Sequence, residues 1–312
     1  MMMGRIKKAV RTAAAAAALS ALAALPVMGA EAWTLENGQY VDAAGNPVAG
    51  VLAKGITVTK YQNRATEDGI DWAAVAGDGV SFAMVRLGYY KDPDPYFQMN
   101  VAGAAENGLK VGLFFYTQAL DVQTAREEAE YVLEVAKDLP ISYPIAYDVE
   151  SQYLLDNGLT RQQITDQVNA FCGAVQAAGY RPIVYANNQW LTEHMDTSQI
   201  PYDIWYARYG TGANSYPNRT IWQCDQNGRV HGIEGDVTIE LAFADYGALI
   251  PADGWKQVGG RWYYMKDYRK QTGWVQVDGT WYYLDTNGAM VHDTTMEIDG
   301  TVYTFDSSGA VL

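Results

Sequence analysis

Asp148 and Glu150 are separated by one residue at the end of a short apolar run, 144–149. In a β-strand, residues i and i+2 point to one face, so both carboxylates project the same way. Carboxyl groups held this close resist joint ionisation, and the pKa of one of them rises. A carboxylic acid that keeps its proton near neutral pH can protonate a glycosidic oxygen as the bond breaks. Asp-x-Glu is also a common string, equally read as a pair of exposed strand-end acids. The element that carries the pair therefore decides its meaning. Histidines His194, His231 and His292 are scattered, and no Cys/His cluster has metal-ligand spacing, so neither a metal nor another cofactor is expected.

The surroundings alternate between two patterns. Apolar runs at 55–58, 82–87, 111–116, 144–149, 182–186, 204–207, 220–223 and 237–241 read as buried strands of a parallel sheet covered on both faces. Helical stretches lie between several of them. One is 123–137, with Glu127, Glu128 and Glu130 expected on its solvent side. Another is 161–178, with Thr160 as N-cap and Gly179 at its end. This alternation predicts an α/β fold, a (β/α) barrel that is irregular because the later connections are too short for helices. In such a barrel the strand C-termini hold the active site, where Asp148 and Glu150 fall. An open doubly wound sheet is the competing architecture, but no Gly-rich phosphate loop follows the first strand. Tyr116, Tyr185, Trp205 and Tyr209 occur at or near strand ends. They could stack on sugar rings, with Gln223 and Arg86 as polar partners, or serve as ordinary core residues.

The chain starts with a basic segment (Arg5, Lys7, Lys8, Arg11) and an Ala/Leu-rich run, followed by small residues offering cleavage after Ala30 or Ala32. This predicts a secretory signal peptide over 1–30, and no membrane span after its removal. Residues 31–53 read as a linker or a short hairpin, and 54–247 as the barrel. The formal net charge is −14, and cleavage would remove cations only. That acidity argues against nucleic acid or an anionic membrane as partner and suits an uncharged glycan or a caged cation. Cys172 and Cys224 could pair after export or remain two buried thiols.

From Asp253 the texture changes. Gly-Trp-Lys-Gln-Val-Gly-Gly-Arg-Trp-Tyr-Tyr (254–264) is echoed at 273–283 and, degraded, at 294–304. A repeat with glycine at each turn predicts stacked β-hairpins over 253–312, which bury a core only by stacking.

Several segments occur in an order that resembles the glycoside hydrolase family 25 lysozymes. They are Lys-Gly-Ile-Thr-Val-Thr-Lys-Tyr-Gln (54–62), Ile-Asp-Trp (70–72), Phe-Ala-Met-Val-Arg-Leu-Gly (82–88), Val-Gly-Leu-Phe-Phe-Tyr (111–116), Pro-Ile-Ala-Tyr-Asp-Val-Glu (144–150), Ile-Trp-Gln (221–223) and Gly-Asp-Val-Thr-Ile-Glu (235–240). The resemblance implies cleavage of the β-1,4 bond between N-acetylmuramic acid and N-acetylglucosamine in peptidoglycan. Glu150 would be the proton donor, and Asp148 would assist the substrate's 2-acetamido group, an exception to the two-carboxylate scheme. Thr57 and Thr238 stand where that family usually has Asp. The departure leaves open an enzyme tuned by hydroxyls, or a weakened enzyme or wall-binding protein without activity; another hexosaminidase is a further alternative, since such enzymes also use Asp-x-Glu motifs. The tail resembles choline-binding-type repeats, which implies an aromatic cage for a quaternary ammonium or another wall-polymer group. Trp255, Trp262, Trp274, Trp281 and Tyr283 are its candidate walls. Such a protein would be secreted and held at the cell wall.

Overall fold

The computed structural model describes residues 33–312 except 43, 64–68, 91, 211–215 and 217. The expected signal peptide therefore lies outside the described residues. Among the described residues, no helix is long and apolar enough to cross a membrane.

The eight apolar runs form eight strands: β1 (Ala53–Val58), β2 (Phe82–Tyr89), β3 (Lys110–Tyr116), β4 (Ile145–Asp148), β5 (Pro182–Asn187), β6 (Asp203–Ala207), β7 (Arg219–Gly228) and β8 (Val237–Ala242). They pair in sequence order, and β1 pairs with both β2 and β8, which closes the barrel. Strands β1 to β7 run parallel. The fully parallel expectation fails at β8, which is antiparallel to β7 and β1. The connection 229–236 is too short for the crossover that a parallel neighbour needs, so the chain turns back as a hairpin.

The strands are apolar on both faces because alternate residues fill two cores. Val85, Leu113, Phe115, Ile145, Tyr147, Ile204 and Tyr206 belong to the layer beneath the helices. Phe82, Met84, Phe114, Ala146, Ile183, Trp205 and Ile221 fill the barrel. Tyr143 closes the N-terminal end of the barrel, stacked on Phe82 at 4.3 Å and edge-on to Tyr246 at 4.8 Å.

The main helices are α1 (Trp72–Gly77), α2 (Phe97–Glu106), α3 (Val122–Ala136) and α4 (Arg161–Ala177). Helix α4 starts at the expected cap: Thr160 accepts from the Gln163 amide, and Gln163 reaches back in a capping box. It buries Ile164, Val168, Phe171, Cys172 and Val175, an i, i+4, i+7 stripe. Each such large apolar side chain stabilises the fold by about 1.5–3 kcal/mol. In α3, Glu127 and Glu130 are exposed, but Glu128 is buried. It accepts from Thr117 at 2.7 Å and Tyr147 at 2.9 Å, anchoring the loop after β3, so it is not a solvent-side residue.

Residues ahead of β1 form a small antiparallel sheet (Leu35–Glu36, Gln39–Val41, Pro47–Val48). Trp33 packs edge-on to Trp222 at 5.3 Å and donates to Asp225 at 3.0 Å, which fixes the segment to the barrel. Cys172 and Cys224 are buried free thiols.

The tail forms three hairpins in one register, with Trp255 opposite Tyr264, Trp274 opposite Tyr283, and Thr295 opposite Thr304. The first hairpin is docked on the end of α4. Lys256 donates to the Gly179 carbonyl at 3.1 Å and Tyr263 to that of Ala177 at 2.7 Å; Lys270 donates to that of Ala178. These three donors satisfy carbonyls that a helix end leaves without partners. Gly179 has φ +84°, and a Cβ there would lie 2.6 Å from the Tyr263 ring. The close approach therefore requires glycine.

Candidate active site

Strand β4 ends at the C-terminal mouth of the barrel with Asp148 facing inward. Asp148 is buried, and its carboxylate accepts the Glu150 backbone N–H at 3.2 Å. Burial pushes its pKa well above the usual carboxylate range; the Glu150 charge pushes the same way, and the Arg86 guanidinium only partly opposes it. Burial also raises Glu150, to about 7, against hydrogen bonds from Asn187 that favour the charged form. Tyr116 donates to the Glu150 carbonyl at 3.3 Å, and the Asn187 N–H holds one carboxyl oxygen. Glu150 also lines an open pocket of about 390 Å³, with Asn187, Asn188, Gln189, Ala207, Arg208 and Tyr209.

Other predicted site residues converge on the same barrel mouth, but not all of them reach the pocket. Tyr209 is exposed and lines it. Tyr185 is half-buried, edge-on to Trp205 at 4.6 Å. Trp205 is 1% exposed and Gln223 is 3% exposed. Both lie in the floor below the groove, which fits the alternative reading of them as core residues. Inward orientation is readable from alternation, but height along the barrel is not. Arg86 is tied to Asp94 at 2.7 Å and so acts on the groove through its charge.

The largest surprise is Glu240. It is fully buried, accepting from Thr57 at 2.7 Å, Gln223 at 3.0 Å and Trp205 at 2.8 Å. The Thr238 hydroxyl lies close enough to lower its pKa, yet makes no well-formed hydrogen bond. Because β8 is antiparallel, Thr238 pairs with Thr57 and Glu240 with Gly55. The two threonines thus flank a carboxylate one step deeper, and the expected loss of negative charge at the site is partly made up by Glu240. An Asp at position 57 would face that carboxylate directly. Burial raises Glu240 to about 7, against hydrogen bonds led by that of Thr57. The sequence signal was there: Thr238 and Glu240 share one face of β8, as Asp148 and Glu150 do at β4. The pocket residues Asn187, Asn188 and Gln189 also carried a signal, a polar run directly after a barrel strand.

In the tail, Trp255 lies 4.9 Å from Tyr282 of the next hairpin and 5.2 Å from Tyr264. Trp274 meets Tyr303 of the following hairpin at 4.7 Å, Tyr283 at 5.1 Å and Trp281 at 6.3 Å. Trp262 and Trp281 expose large ring faces. Tyr282 and Tyr303, each contributed by the following hairpin, were not singled out in the sequence. Among the described residues, no cluster of His, Cys, Asp and Glu could hold a metal ion.

Comparison with known proteins agrees with this architecture. The profile for glycosyl hydrolases family 25 matches residues 56–233, and that for a cell wall binding repeat matches 253–267 and 272–290. The uncharacterized protein YegX of Escherichia coli K12 is 27% identical over 196 residues, 60% of this chain and 68% of that protein. Lysozyme M1 of Streptomyces globisporus is 25% identical over 202 residues, 59% of this chain and 65% of that one. The modular autolysin LytC of Streptococcus pneumoniae shares the fold with a TM-score of 0.59 at 22% identity, over 68% of this chain and 52% of LytC. The chain thus spans about half of LytC's length. The family profile covers more than half of the chain, and the protein belongs to glycosyl hydrolase family 25, with cell-wall-binding repeats following its barrel.

Proposed function

We propose that this protein is a secreted muramidase that cuts the β-1,4 bond between N-acetylmuramic acid and N-acetylglucosamine in peptidoglycan. The observation that carries the reading is Glu150: a carboxyl raised to about 7 by burial, lining an open pocket beside buried Asp148. The pair shares its protons, and neutral Glu150 donates to the glycosidic oxygen as the bond to the muramic acid anomeric carbon breaks. The substrate's own 2-acetamido oxygen closes on that carbon, and Asp148 orients the acetamido N–H. Glu150, now ionised, takes a proton from the water that reopens the ring, which regenerates the acid and retains the anomeric configuration. LytC has been solved with a synthetic peptidoglycan ligand, and this supports a glycan of the same kind here.

In the tail, Trp255 with Tyr282, and Trp274 with Trp281 and Tyr303, form two aromatic corners for a quaternary ammonium such as choline, by cation–π attraction. The third hairpin has Thr295 and Val302 at the tryptophan positions and closes no further cage. The barrel over 54–247 does the chemistry, and the repeats over 253–312 hold it at the wall.

Digestion of purified peptidoglycan, with the new ends reduced and identified by mass spectrometry, tests this. New N-acetylmuramic acid reducing ends are expected. New N-acetylglucosamine ends would make the protein a different hexosaminidase, and no release would favour a wall-binding role alone.

A further inference from the structure

Glu240 takes no part in the steps above, yet it is the most completely buried carboxylate facing the barrel interior beneath the groove. Its two oxygens meet only donors: Thr57 and Gln223 on Oε1, and the Trp205 indole on Oε2. Beyond Gln223 the chain of hydrogen bonds continues upward. Gln223 Oε1 accepts from Tyr185 at 2.9 Å and from Tyr209 at 2.8 Å. Both hydroxyls lie within electrostatic reach of Asp148 and Glu150, and Tyr209 lines the pocket with Glu150.

An amide can be turned either way; an ionised carboxylate accepts only, and Glu240 is ionised above about 7. In that form Glu240 fixes the Gln223 amide with its NH₂ group downward and its carbonyl upward. The carbonyl accepts from both tyrosines, which spends each phenol's hydrogen on Gln223, and the two hydroxyls also lie close enough to act on one another. What Tyr209 has left for the pocket it lines is an acceptor oxygen.

We infer that Glu240 is a positioning residue that sets the polarity of the groove wall, through Gln223, so that Tyr209, which lines the pocket, receives donor groups of the glycan, the N–H of a 2-acetamido substituent other than the one at Asp148 foremost. The inference rests on the reading of the groove as a glycan site. It assigns Glu240 a role in binding that burial alone would not give it.

Substitution by glutamine makes the polarity reversible in a defined sense. The Trp205 indole can only donate, so in Glu240→Gln the new amide must turn its carbonyl to Trp205 and its NH₂ to Thr57 and Gln223. Gln223 then has to flip, its NH₂ faces the tyrosines, and their hydrogens point into the groove. The reciprocal exchange, Gln223→Glu with Glu240→Gln, restores the original sense: the amide now at position 240 donates to the carboxylate now at position 223, which accepts from both tyrosines.

The experiment measures binding of a tetrasaccharide of alternating N-acetylglucosamine and N-acetylmuramic acid to the full chain by calorimetry above pH 7, where Glu240 is ionised, with Glu150→Gln as background to prevent turnover. Thermal unfolding is measured on every variant. Adding Glu240→Gln should weaken binding about tenfold, the order expected when a directed hydrogen bond is lost. Adding Gln223→Glu to that variant should bring affinity back to within about threefold of the background. Unchanged affinity in the Glu240→Gln variant, or a folded reciprocal exchange that binds no better than Glu240→Gln, overturns the proposal. A fold lost on Glu240→Gln and not regained on exchange assigns Glu240 to stability alone and also overturns it. No binding by the Glu150→Gln background removes the glycan reading of the groove itself, and this proposal with it.

Discussion

Glu150→Gln is expected to leave about 1% or less of the hydrolytic activity, since a positioned general acid is worth about 10²–10⁴-fold. The amide keeps the shape of the side chain and can still accept from the Asn187 N–H, but it has no proton to give the leaving oxygen. Stability should hold or rise slightly, because burial disfavours the charged carboxyl and the amide carries no charge. Initial rates on a soluble glycan fragment, with a thermal melt of both proteins, provide the check. Activity above about a tenth of wild type would show that Glu150 is not the essential acid.

Removal of residues 253–312 should have two effects. Retention on intact walls should fall by about a hundredfold or more, because in the proposed division of labour the repeats raise the local concentration of substrate without doing chemistry. The barrel should also be less stable than the full chain. Loss of Lys256, Tyr263 and Lys270 leaves the last carbonyls of α4 without partners, and Lys270 no longer covers the Tyr180 ring, 4.4 Å away. At about 1 kcal/mol per lost hydrogen bond, the melting temperature should drop by about 5–10 °C. Co-sedimentation with walls and thermal unfolding measure the two effects separately. Equal sedimentation of the truncated and full-length proteins would remove the role given to the repeats. An unchanged melting temperature would show that the docking does not stabilise the barrel.

The strands were legible because each is a contiguous apolar run, and such runs are what a sheet buried on both faces demands. Strand direction is not written in such a run. Only the short connection 229–236 hinted that β8 turns back, and that reversal brings Thr238 beside Thr57. The acid pair was legible from its i, i+2 spacing at a strand end. The face of β8 that Glu240 shares with Thr238 carried the same signal, but its partners Thr57, Trp205 and Gln223 were not legible, because they come from three distant strands. The same limit left open how deep Trp205 and Gln223 lie; they point inward and sit below the groove. In the tail, repetition showed the stacked hairpins in advance, though not their register. It could not show that Lys256, at a position held by Val275 and Met296 in the other hairpins, is used on the end of α4.

The proposed mechanism depends on Glu150 as a carboxyl that burial keeps protonated where an exposed one would be ionised. A general acid works only while it holds its proton, so activity should be present below its pKa and lost as pH rises through it. The measurement is kcat/KM against pH on a soluble glycan fragment, for wild type and for Glu240→Gln, which removes the other carboxyl that lies at about 7. The alkaline limb should fall with an apparent pKa near 7 in both proteins, as Glu150 loses its proton. An alkaline limb near 4.5, the ordinary value for a glutamate, or one that vanishes with Glu240→Gln, would contradict the assignment of the acid to Glu150.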